Sequence, residues 1–181
     1  MMSPRSDAVR SRERILAAAR DGRGEELRLN EIARRAGVGV GTVYRHFPTT
    51  HALTEALTRE TLERMREVAR AAREGSDEDA FALFLGAALD LQLDDGGLKT
   101  VLLSPADEEP GVAELKREIF AAFDEVLDRA RRSGAVRADL DIVQIEHLIC
   151  GIEYAVRLGA SGDRAPFLEI LLAGIRPAPA R

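Results

Sequence analysis

Apolar residues recur every three to four positions along nearly the whole chain, and Gly, Pro and acidic turns cut the pattern into helix-length segments. The first runs from about Asp7 or Ala8 to Arg20, with Val9, Ile15, Leu16 and Ala19 set to pack inward. Two short segments follow. Leu29, Ile32, Ala33 and Ala36 share one helical face, and Val43 and Phe47 share another. After Pro48, with Thr49 or Thr50 as cap, a long helix carries Ala52, Leu53, Ala56, Leu57, Leu62, Met65 and Val68 to about Arg73. Gly75 ends it, and Ser76 with Asp79 reads as the cap of a helix over about 77–93 bearing Phe81, Phe84, Leu85, Ala88, Leu89 and Leu91. Residues 98–103 form a short helical turn, and 104–111 read as a solvated acidic loop. Three further helices are predicted over about 112–132, 141–158 and 165–175. No segment alternates with the period of a strand, so the predicted fold is all-α.

The stretch Leu29–Phe47 organises the rest. Gly37 follows the last periodic residue of its first helix, where a C-cap needs a positive φ without a Cβ penalty. The second helix starts near Val40 and stops at Pro48, which lacks an N–H and disfavours helix before it. Two helices joined by a short Gly turn make a helix-turn-helix, whose second helix enters the DNA major groove. Gly39, Val40 and Gly41 are small enough for close backbone approach, while Thr42, Tyr44, Arg45 and His46 lie on or beside the face opposite Val43 and Phe47.

The run IARRAGVGVGTVYRHFPTTHAL, preceded by RERILAAAR, resembles the N-terminal domain of TetR-type transcriptional regulators over about Val9 to Leu57. The resemblance implies a three-helix DNA-binding domain over 1–48 and a helical effector-binding and dimerisation domain over 49–181. It implies a homodimeric regulator, most simply a repressor, reading a palindromic operator in double-stranded DNA and released by a small-molecule effector. Thr42, Tyr44 and His46 then grip phosphate, and Val40, Gly41 and Arg45 approach the bases, with Gly39 at the helix start. The chain departs from the family pattern in three places. No aromatic residue follows the first helix, where the connection is short and Leu27 is the candidate filler. Arg28 stands where a capping Ser or Thr is usual, leaving Asn30 as the candidate cap and Arg28 as a longer-range phosphate contact. Thr50 stands where Lys or Arg is usual, a weaker phosphate contact. These departures keep open an alternative, a small-molecule-binding helical protein with impaired or lost DNA binding.

Charge changes the picture only when divided. The formal net charge is −5. Residues 1–50 hold ten Arg, no Lys and six acidic residues, a balance of +4, and the remainder carries −9. A basic first module on an acidic body fits a chain that meets phosphate at one end. No apolar run reaches the roughly 18 residues of a membrane span, and the first residues have no apolar signal core, so a cytoplasmic protein is expected. One cysteine, Cys150, excludes an internal disulfide framework.

No catalytic constellation, phosphate-binding Gly loop or cofactor motif is present, so an enzyme is not expected. His147 and Cys150 are three apart beside Glu146 and Glu153, but Cys on an apolar helix face is more often packing, and no metal is expected. The resemblance implies an effector pocket, for which Phe84, Leu102, Phe120, Phe123 and Tyr154 are the candidate lining. Gln92, Gln144, Tyr154 and Arg157 are the few interior polar candidates, which favours a largely apolar effector. The last two helices are apolar over more than one face, which suggests a second partner. The resemblance makes that partner a second subunit, with Ile145, Leu148, Ile149, Ile152, Leu168, Leu171 and Leu172 as candidate contacts.

Overall fold

The computed structural model describes residues 4–21, 28–75, 79–159 and 161–177. Among them there is no strand. The helices are α1 (Pro4–Asp21), α2 (Leu29–Ala36), α3 (Val40–His46), α4 (Thr50–Glu74), α5 (Ala80–Asp94), α6 (Leu98–Leu102), α7 (Val112–Arg132), α8 (Ile142–Leu158) and α9 (Arg164–Gly174). A 3-10 turn, Ser161–Asp163, leads into α9. The chain divides into two compact units, Met1–Arg59 with Ser104–Val112, and Glu60–Leu103 with Ala113–Arg181.

The first unit closes around Ile15, Val43, Phe47 and Leu53, all completely buried, together with Leu29, Ile32, Ala33 and Ala36 of α2. Truncating a buried Phe to Ala costs about 3–5 kcal/mol, so Phe47 alone carries much of this small core. Val9, expected in the core, is exposed. The packed part of α1 starts one turn later at Arg12, whose guanidinium lies over the Phe47 ring.

The turn between α2 and α3 follows from its backbone. Gly37 has φ 60°, its N–H donates to Arg34 O, and the N–H of Val38 donates to Ala33 O. This is a Schellman closure, and it satisfies two carbonyls at the end of α2. Arg14 of α1 donates to Gly37 O at 2.9 Å and lies where a Cβ on Gly37 would sit, so the position excludes a side chain twice. Arg28, extended, occupies the α2 N-cap without a side-chain cap bond. Asn30 is the second residue inside that helix and does not cap it. Thr49 caps α4, accepting from Ala52 N at 3.0 Å.

In the second unit α5 packs on α8, and α8 on α9. Phe81, Phe84, Leu85, Ala88, Leu89 and Leu91 of α5 are buried, as are Val112, Leu115, Ile119, Phe123, Val126, Leu127 and Ala130 of α7. The expected start of α5 at residue 77 and its Ser76 cap lie outside the described residues; so does Leu27. Helix ends are satisfied from nearby. Arg129 donates to Arg73 O and Ala72 O at the end of α4. Asp141 and Gln144 form a reciprocal capping box at the start of α8. Gln144 is thereby used at the surface, not in the interior.

Candidate nucleic-acid interface

On α3 the side chains divide by face. Val43 points into the core, while Val40, Tyr44 and Arg45 are exposed and Thr42 and His46 are half-buried. Gly39, at the N-cap, and Gly41 are exposed; a Cβ on Gly41 would meet no atom within 4 Å. The space beside Gly41 is therefore outside the protein, and the glycine is not demanded by internal packing. Arg28 and Asn30 at the start of α2, and Thr50 at the start of α4, are also exposed. A closed apolar base thus carries a helix with an open, polar and small-residue outer face.

Other cations near this face are committed elsewhere. Arg10 pairs with Asp7, and Arg34 and Arg35 share Glu31, whose carboxyl they hold below its ordinary range. Arg12 is 2.5 Å from Glu109, whose side chain is nearly buried. His46 is pushed below the ordinary histidine pKa, first by partial burial and then by the charges of Arg12 and Arg45. It is a neutral hydrogen-bonding group at pH 7.

The acidic segment after α6 is not solvated as expected. Glu55 of α4 is wholly buried and accepts the backbone N–H groups of Glu108 and Glu109 at 2.9 and 2.6 Å. Thr49 Oγ1 donates to Glu108 Oε2 at 2.7 Å. A loop of three acids reads as surface from composition, but here its backbone supplies the donors that a buried carboxylate requires.

In the second unit Phe84 and Phe123 are buried with ring centroids 4.7 Å apart, and Phe81 lies 6.1 Å from Phe123. Leu102 is buried beside α5, Phe120 is half-buried, and Tyr154 is exposed with Lys99 Nζ 5.9 Å from its ring centroid. Two surface concavities are present. One, of about 500 Å³, is lined by Arg66, Arg70 and Arg73 with Glu67 and Glu118. The other, of about 470 Å³, lies along α8 and α9 and is lined by Leu148, Ile152, Phe167, Ile170 and Leu171 among others. Neither is bounded by the five aromatic and apolar residues named from the sequence.

Two family models match. The C-terminal domain of SbtR-like transcriptional regulators covers residues 76–177, more than half of the chain, and the bacterial regulatory protein domain of the tetR family covers residues 23–57. The chain belongs to the TetR family of transcriptional regulators. A TetR regulatory protein from Mycobacterium vanbaalenii is 32% identical, with 97% of this chain and 100% of that one aligned and a TM-score of 0.47. A TetR regulator from Streptomyces coelicolor is 29% identical over 92% of this chain and 99% of that one, with a TM-score of 0.54. The Thermus thermophilus repressor FadR, solved with lauroyl-CoA, is 23% identical over 94% of this chain and 98% of that one, with a TM-score of 0.56. No curated protein matches the chain.

This TetR-family chain also has a polar interior that sequence reasoning did not assemble. Glu146, Cys150, Glu153 and Arg157 follow one face of α8. Gln92 Nε2 of α5 donates to Glu146 at 2.9 Å, Lys99 of α6 meets Glu153 at 2.5 Å, and Arg157 pairs with Glu153 and donates to Gln92 O and Leu93 O. Burial raises the Glu146 carboxyl above its usual range. Burial, aided by the Glu146 charge, pushes the Cys150 thiol up to about 12. Burial opposes ionisation of Glu153, but Arg157 and Lys99 outweigh it and hold that carboxyl low. His147 is exposed, and no metal-binding cluster occurs among the described residues. The four-residue spacing on α8 was visible in the sequence; the partners from α5 and α6 were not.

Of the candidate dimer contacts, Leu148 is exposed, and Ile152, Leu168 and Leu172 are half-buried. Ile145, Ile149 and Leu171 are buried within the unit itself.

Proposed function

We propose that this TetR-family protein is a homodimeric repressor that reads a palindromic operator with α3 and is released by a small molecule bound in its C-terminal domain. The observation that carries the reading is the division of α3, with Val43 inside and Val40, Gly41, Tyr44 and Arg45 outside on a closed base. On this reading Thr42, Tyr44 and His46 hold phosphate, Arg28, Asn30 and Thr50 add contacts at two helix starts, and Arg45 reads a base edge. Residues 1–48 form the reading domain and 49–181 the effector and dimer domain, in the cytoplasm. No described helix is long and apolar enough to cross a membrane.

The dimer is proposed through α8 and α9. Ile170 is 67% exposed and Leu148 43%, and both line the apolar concavity with Ile152 and Phe167. An exposed apolar patch of this kind is what an interface requires. Two reading heads then meet half-sites about 34–36 Å apart. Phe84, Leu102, Phe120 and Phe123 form an interior suited to an apolar effector, and a FadR repressor of this fold was solved with lauroyl-CoA. An acyl thioester is accordingly the first class to try.

The reading is tested by binding to duplex variants with one base pair changed at a time. Arg45→Ala should flatten preference at one position of each half-site by about 1–3 kcal/mol. An unchanged preference profile refutes the role of Arg45, and absence of duplex binding by the wild-type protein refutes the reading as a whole.

A further inference from the structure

Five side chains of the first unit converge on the short stretch of backbone at 106–110. Glu55 accepts the N–H groups of Glu108 and Glu109. As the Nε2–H tautomer, His51 donates to Ala106 O at 3.0 Å. Arg59 donates to Pro110 O, Thr49 to the Glu108 carboxylate, and Arg12 to that of Glu109. His51, Glu55 and Arg59 stand four residues apart and present one face of α4.

The energetic centre of this arrangement is Glu55. Its side chain is 0% exposed. A carboxylate so placed is tolerated only while hydrogen bonds replace its water. Oε2 has the two backbone donors. Oε1 lies 3.0 Å from His51 Nε2 but has no hydrogen-bond partner of its own, because the N–H there serves Ala106. Half of the carboxylate is therefore already unsatisfied, and withdrawal of 106–110 would strip the other half. The stretch is itself without regular structure, so the N–H groups of Glu108 and Glu109 lose their partner in the same event. Such a pairing is made or broken as a whole; it does not stretch. The chain enters this stretch from α6 and leaves it into α7.

We propose that Glu55 is the positioning residue through which the α6–α7 segment fixes the DNA-reading head, so that the half-site spacing the protein accepts depends on that buried carboxylate. The inference rests on the operator-binding reading above. Glu55 touches no DNA on this view; it acts through the backbone it holds.

The test uses the full-length protein and Glu55→Ala and Glu55→Gln variants. Amide exchange at Glu108 and Glu109 is followed first, and then binding to a selected operator and to versions with half-sites moved one or two base pairs closer or further apart. Exchange at both amides should quicken about tenfold or more in Glu55→Ala. The wild-type preference for one spacing should weaken severalfold, while affinity for a single half-site stays near wild type. Loss of fold stability alone would not move spacing preference. Glu55→Gln, with one carbonyl oxygen for two amides, should show the same pattern at smaller amplitude and serves if the alanine variant does not fold. Faster exchange with unchanged spacing preference makes Glu55 merely structural and overturns the inference, as does unchanged exchange. Failure of the wild-type protein to select any duplex overturns the functional reading and this inference together.

Discussion

Arg12 of α1 lies over the face of Phe47, with its guanidinium carbon 4.9 Å from the ring centroid. The ring is the completely buried end of the reading helix, and the cation above it is met by Glu109. One arginine thus joins the first helix, the last core residue of the helix-turn-helix and the segment after α6. A cation on a ring is worth about 0.5–2 kcal/mol, depending on desolvation.

Arg12→Ala should therefore destabilise the first unit by about 1–2 kcal/mol, with Glu109→Gln costing less because the ring contact survives. Denaturant unfolding of both variants checks the order. Equal losses would mean that the stack on Phe47 contributes nothing.

Gly37 and Gly41 should answer alanine in opposite ways. Gly37→Ala places a Cβ at φ 60° and 2.8 Å from an Arg14 nitrogen, and should cost about 1–2 kcal/mol. Gly41→Ala meets open space inside a helix, where Ala is favoured over Gly by up to about 1 kcal/mol. It should leave stability unchanged or raised and yet weaken operator binding, because the methyl intrudes on the partner. Paired melting and binding curves decide this, and full operator affinity in Gly41→Ala would remove that residue from the interface.

His46 should make operator binding depend on pH. In the free protein partial burial, Arg12 and Arg45 favour its neutral form. A phosphate beside it favours the charged form, so the complex should take up protons and tighten as pH falls below neutrality. His46→Gln should flatten that dependence. A wild-type pH slope that persists in the variant belongs to another group.

Glu146 gives a stability prediction of a different sign from the usual carboxylate. Its folded pKa lies above the unfolded value. Its favourable contribution is present below the unfolded pKa and is lost as pH rises through the folded one. At neutral pH the charge is buried at a cost. Glu146→Gln, able to keep the bond from Gln92, should melt a few degrees higher at pH 7, with the advantage vanishing below pH 4. A lower melting temperature at pH 7 would show that the charge is needed.

The helices were legible because their apolar residues follow the helical period. The α7 stripe from Val112 to Ala130 is buried at every predicted position. The turn at Gly37 and the outward face of α3 were legible because local backbone geometry and one helical period determine them. Glu55 was not, because the donors that satisfy it come from residues more than fifty positions away. The same holds for Glu109, acidic and loop-borne, whose burial depends on Arg12. Val9 shows the reverse error: periodicity marks a face, but packing ends where the neighbouring element ends.

The central claim, that α3 reads a two-fold operator, is tested most directly by selecting bound sites from a random duplex library with the purified protein at two salt concentrations. The account predicts a two-fold symmetric motif whose binding weakens steeply as salt rises, since several phosphate contacts release counterions. No enrichment, or an enriched motif bound equally at both salt concentrations, would contradict it.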